Sequence, residues 1–99
     1  MTYTYQTIPL SSTGSQSFSI LLNQQQCNIN VYQLSTGLYC DIAVNGNPIV
    51  TTMLCLNLVG IIREAYLGFS GQLFFYDTKG TDDPYFSGLG TRYQLVYQL

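Results

Sequence analysis

The stretch Cys27-Asn28-Ile29-Asn30-Val31-Tyr32-Gln33-Leu34 decides the fold class. Apolar and polar residues alternate strictly from Cys27 to Val31, a period of two that suits a strand with one buried face and not a helix. Gly37 breaks the pattern, and Leu38-Tyr39-Cys40-Asp41-Ile42-Ala43-Val44 resumes it. Asn45-Gly46 then precedes Asn47-Pro48-Ile49-Val50. Asn-Gly is the pair best suited to the positive φ angles of a two-residue hairpin, so the chain is predicted to reverse there. A meander of adjacent antiparallel strands follows.

The same period extends in both directions. Upstream, Phe18, Ile20 and Leu22 alternate with Ser17, Ser19 and Leu21, and Ile8 and Leu10 alternate with Thr7 and Pro9. These predict strands over 3–10 and 17–23, with the small polar run from Ser11 to Gln16 as a surface loop between them. Downstream, Thr51 to Ile62 is apolar and β-branched and reads as core strand, although Leu58, Ile61, Ile62 and Ala65 also fit a helical face. Gln72-Leu73-Phe74-Phe75-Tyr76 and Tyr93-Gln94-Leu95-Val96-Tyr97-Gln98-Leu99 read as strands. The expectation is one all-β domain over residues 1–99, mostly antiparallel, with seven to nine strands in a compact barrel or sandwich.

Charged residues make up 8% of the 99, against roughly 25% in ordinary soluble domains. Nine tyrosines and many neutral polar residues take their place. Surfaces rich in aromatics and poor in Lys, Glu and Asp are those that neighbours cover. A net charge of −2 from three basic and five acidic side chains leaves no basic stripe, which argues against nucleic acid as a partner. No stretch approaches the roughly 18–20 apolar residues of a spanning helix, so no membrane partner is expected. Met1-Thr2-Tyr3-Thr4-Tyr5 lacks the basic and apolar regions of a secretory signal, and assembly in a cytoplasm is expected.

The chain contains no histidine, which removes the usual general base and the triads built on it. Cys27, Cys40 and Cys55 stand 13 and 15 residues apart, without a C-x-x-C pair, so a zinc site lacks ligands and no cofactor is expected. In apolar strand positions they are expected to be free, buried thiols. Asp77, Asp82 and Asp83 fall in the Gly- and Pro-containing segment from Asp77 to Arg92, where Asp commonly shapes turns. A calcium site or a two-carboxylate hydrolase built on them are the competing readings. Gly88-Leu89-Gly90-Thr91 has no Lys after it and reads as a turn, not a phosphate loop. Arg63, Lys79 and Arg92 are the only cations. Arg92 is expected to pair with one of the loop acids, Asp82 or Asp83 foremost, and so staple the loop to the last strand, or to reach a neighbour's carboxylate. A loop of about 15 residues in so small a domain usually has a task. Tyr85, Phe86 and Leu89, in a segment without strand pattern, are expected to be exposed, and they join Arg92, Asp82 and Asp83 as a candidate interface.

Tyr5-Gln6-Thr7-Ile8-Pro9-Leu10, Asn30-Val31-Tyr32-Gln33, Leu38-Tyr39-Cys40-Asp41-Ile42, and the run from Gly68 to Gly80 occur in order along the chain. Asp82-Asp83-Pro84-Tyr85 and Gly88-Leu89-Gly90-Thr91-Arg92-Tyr93 complete the series. Taken together they resemble the plug-protein family of bacteriophage baseplates. The resemblance implies a non-enzymatic structural protein of a contractile tail, present in the virion in several copies and packed against hub and tube or wedge proteins. It supplies no catalytic residues. A carbohydrate- or receptor-binding β-module, with exposed tyrosines stacking on sugars, is the alternative reading.

Overall fold

The computed structural model describes residues 4–62 and 69–99. Among these residues, seven strands form two antiparallel sheets. One holds β1 (Tyr5–Ile8), β7 (Tyr93–Gln98) and β6 (Gln72–Asp77), in the order β1-β7-β6. The other is the meander β2 (Ser15–Leu22), β3 (Gln25–Leu34), β4 (Gly37–Val44) and β5 (Asn47–Leu54). The sheets face each other as an open sandwich and do not close into a barrel.

Alternation sets which residues lie between the sheets. Cys27, Ile29 and Val31 of β3 and Leu38, Cys40, Ile42 and Val44 of β4 are buried, as are Leu73 and Phe75 of β6 and Tyr93, Leu95 and Tyr97 of β7. All belong to one core, which also holds Ile8, Leu22, Cys55, Ile61, Ile62 and Leu89. The three thiols are free and buried.

The turn at Asn45-Gly46 is a two-residue hairpin, with φ of 52° and 85° and Val44 opposite Asn47. A second hairpin lies at Asn23-Gln24, with φ of 48° and 63° and Leu22 opposite Gln25. Both have the positive φ pairs whose twist matches that of the strands they join. β5 is irregular. Its register against β4 shifts between Cys40 and Ile42 and again between Ile42 and Ala43, and Thr52 sits at φ 49°. The Asp41 carboxylate accepts the Thr52 N–H at 2.7 Å and the Tyr32 hydroxyl at 3.0 Å, fixing this bulge.

Several expectations about element limits are corrected. β1 is shorter than 3–10 and ends before Pro9, which has no N–H to give a ladder; Tyr3 lies outside the described residues. β2 begins at Ser15 and not at Ser17. The segment read as core strand to Ile62 is strand only to Leu54. Beyond it Cys55 N–H still bonds Leu38 carbonyl at 2.8 Å, after which the chain crosses to the other sheet. There Leu58 N–H donates to Phe75 carbonyl and Ile61 N–H to Leu73 carbonyl, each at 2.8 Å. Residues 58–62 are not helical; Ala65, also assigned to that helical face, lies outside the described residues. Gln72 holds the crossing through Ile62, accepting its N–H and donating to its carbonyl at 2.7 Å each.

Candidate interaction surface

The segment from Asp77 to Arg92 leaves β6 and returns into β7. Asp77 follows Leu73 and Phe75 in the inward-facing series of β6, so its carboxylate points into the protein with 0% of the side chain exposed. Burying an ionised carboxylate is costly unless its oxygens are filled. Here four donors fill them. Oδ1 accepts Arg92 Nε at 2.8 Å and Lys79 N–H at 2.9 Å; Oδ2 accepts Arg92 Nη2 at 2.8 Å and Asp82 N–H at 2.9 Å. The Arg92 guanidinium, helped by the two backbone N–H groups, holds the Asp77 carboxyl well below the usual carboxylate range. The same contact raises the Arg92 pKa further. Thr78 closes the base of the loop, its N–H and hydroxyl both donating to Arg92 carbonyl at 2.9 and 2.8 Å.

The loop acids named from sequence divide. Asp82, with a largely exposed side chain, shares Arg92 Nη2 at 2.9 Å. Asp83 does not pair with Arg92; its Oδ1 accepts Asn57 N–H at 3.0 Å, while Asn57 Oδ1 accepts Asp77 N–H at 2.9 Å. Arg92 thus pairs with a loop acid as expected, with Asp82 and chiefly with Asp77, the acid that the sequence reading did not put foremost. The signal was available, because Asp77 continues the parity of Leu73 and Phe75. With Asp77 saturated by donors and Asp83 accepting a backbone N–H, these two carboxylates serve the loop's shape.

Tyr85 is 50% exposed, and its ring lies 4.8 Å from that of Phe86. Phe86 opens a short 3-10 turn (Phe86–Gly88), packs partly on the core, and donates its N–H to Gln33 Oε1 at 3.2 Å. Leu89 was expected at the surface and is buried, 1% exposed. The reason is a close approach of chain segments: Ser12 hydroxyl bonds Leu89 carbonyl at 3.0 Å, and Gly90 lies against the Leu10 carbonyl. Of the side chains named from sequence, Tyr85, Asp82 and Asp83 are exposed on the loop, and Arg92 is half-buried.

A second exposed surface escaped the sequence reading. On the outer face of the three-stranded sheet, Tyr5 stands in line with Gln98 and Gln72, and Thr7 with Val96 and Phe74. Tyr5, Tyr76 and the crossing residues Leu58 and Val59 are exposed. None of the outward positions of these three strands is charged. Composition signalled such a patch, but apolar residues on the outer face of a strand cannot be told from core residues by sequence.

The family model described as "Cyanophage baseplate Pam3 plug gp18" matches residues 5–99. No curated protein matches the chain.

Proposed function

The chain belongs to the cyanophage baseplate plug family, and from that premise we propose that it is a non-enzymatic structural subunit of a contractile phage tail baseplate. It is assembled in the host cytoplasm in several copies and is held by contacts with hub and tube or wedge proteins. The observation that carries this reading is the family match over residues 5–99. The surface supports it. Exposed Tyr5, Leu58 and Tyr76 beside the uncharged outer face of the three-stranded sheet, and exposed Tyr85 on the loop, suit a protein covered by neighbours. The Asp77–Arg92 loop is one contact surface, with Tyr85 and Asp82 and Asp83 facing the partner and Arg92 fixing the loop.

Lys79 is the single lysine of the chain and lies exposed in that loop. An amine-reactive cross-linker applied to purified intact tails therefore reports on the loop's neighbours. The expected result is chain-containing tails with Lys79 cross-linked to other tail proteins. Tails that lack the chain, or that contain it without any Lys79 cross-link to another tail protein, would refute the reading.

A further inference from the structure

The two sheets have four edges, and three are blunted against pairing. β1 is four residues long and runs into Pro9. The edge of β6 is occupied, since Leu58 and Ile61 donate to Phe75 and Leu73 carbonyls. β5 carries Pro48, two register shifts and Thr52 at positive φ. Short length, proline, bulges and covering segments are the devices that keep sheet edges from recruiting other strands.

β2 has none of them. It is eight residues long, in unbroken register with β3 from Ser15–Tyr32 to Leu22–Gln25. Leu22 and Gln25 close a two-residue hairpin, and Gln33 N–H bonds Gly14 carbonyl at 2.8 Å, so even-numbered residues of β2 exchange hydrogen bonds with β3. The N–H and carbonyl groups of Ser15, Ser17, Ser19 and Leu21 point to the free edge, where no backbone partner meets them among the described residues. No charged side chain occurs before Asp41, so neither β2 nor its neighbour β3 offers electrostatic protection.

We propose that β2 is the contact between two copies of this chain, pairing antiparallel with β2 of the second copy about a twofold axis at Phe18. A second copy is the occupant because of the edges themselves. With the other three blunted, an edge contact between copies can only be β2 against β2, and such a self-contact closes without propagating. The register is self-complementary. Ser17 meets Ser19 and Ser15 meets Leu21 in hydrogen-bonded pairs, with no like charges opposed. Phe18 meets Phe18 in the non-hydrogen-bonded position, where opposite Cα atoms approach to about 4.5 Å and side chains are closest. Phe18 and Ile20 lie on the core side yet remain only partly buried, and the second copy covers them. Two four-stranded sheets become one of eight. This contact does not depend on the baseplate reading.

The test is the mass of the purified full chain by sedimentation over a concentration series, with three variants. Ser17→Lys/Ser19→Lys places four ammonium groups around the axis on outward positions. Phe18→Cys places two thiols across it within disulfide reach, whereas Ser15→Cys places its two far apart. Expected are a dimer for the unaltered chain, a monomer that keeps the β-sheet circular dichroism of the fold for the double lysine variant, with a thermal midpoint lowered by loss of the dimer and of the Ser19–Asn28 and Ser17–Asn30 hydrogen bonds, and oxidative cross-linking of Phe18→Cys but not of Ser15→Cys. A chain that stays monomeric at every concentration, including one whose β2 is covered only by a different protein, overturns the proposal. So does a dimer that survives the double substitution. Should the lysine variant fail to fold, the cysteine pair decides: cross-linking through Ser15→Cys, or through neither, overturns it.

Discussion

Arg92 holds Asp77 by two parallel hydrogen bonds of 2.8 Å, one from Nε and one from Nη2, across a loop that begins and ends on that pair. Fork-on-carboxylate contacts of this kind fix geometry as well as charge. Removing Arg92 leaves a buried carboxylate with its backbone donors alone. Arg92→Ala is expected to lower the thermal midpoint by at least about 5 °C. Arg92→Lys should recover only part of this, because an ammonium is a point charge and cannot make both bonds. Thermal denaturation of the isolated chain checks both, and an unchanged midpoint for Arg92→Ala would show that the pair does not hold the loop.

Acid should act through the same pair. The folded-state pKa of Asp77 is depressed, so its stabilisation is fully present above the unfolded-state value of about 3.9 and is lost as pH falls below it. The midpoint is expected to fall between about pH 5 and pH 2. Asp77→Asn, less stable at neutral pH, should show a flatter profile over that window. Parallel curves for the two proteins would assign the acid sensitivity elsewhere.

Gly46 and Gly90 have nearly the same φ, 85° and 82°, in different surroundings. A Cβ on Gly46 meets nothing within 4 Å, while one on Gly90 collides with the Leu10 carbonyl oxygen. Gly46→Ala therefore reports backbone strain alone, roughly 1–2 kcal/mol. Gly90→Ala should cost distinctly more, since backbone must move as well, and chemical denaturation midpoints measure the difference. Equal losses would mean that Leu10 yields freely.

The meander and the hairpin at Asn45-Gly46 were legible because both signals are local: alternation within Cys27–Val31 and a turn dipeptide between strands. The hairpin at Asn23-Gln24 was not, since Gln at positive φ is an unusual turn residue and only the pairing of Leu22 with Gln25 holds it there. The crossing after Leu54 was misread because Ile61 and Ile62 turn inward while Leu58 and Val59 turn outward, a division set by bonds to Phe75 and Leu73 on a distant strand. Leu89 is the same case. Its burial comes from Leu10 and Ser12, more than seventy residues away in sequence.

The cysteines should behave as three protected thiols. Cys27, Cys40 and Cys55 are at most 1% exposed. Burial pushes the Cys27 thiol up, and a hydrogen bond with Cys40 together with burial pushes Cys55 up. Thiolate is the reactive form, so the native protein should react with a thiol reagent only through opening, and all three groups should appear in denaturant. Fewer than three in freshly isolated, denatured, unreduced protein would reveal a disulfide.

Tyr85 and Phe86 separate folding from assembly. Sequence alone placed both at the surface, but Phe86 packs on the core and Tyr85 does not. Tyr85→Ser, at an exposed position whose main contact is the Phe86 ring, should cost no more than about 1 kcal/mol. Phe86→Ser should cost about 1–3 kcal/mol, the range for losing a partly buried aromatic. If the loop is a contact surface, Tyr85→Ser lowers incorporation into tails although the purified chain still folds. Incorporation is measured as chain recovered with sedimented tails after complementation of a deletion. A Tyr85→Ser chain that enters tails at the unaltered level would exclude Tyr85 from the contact, and the uncharged face around Tyr5, Leu58 and Tyr76 would then be the surface to mutate next.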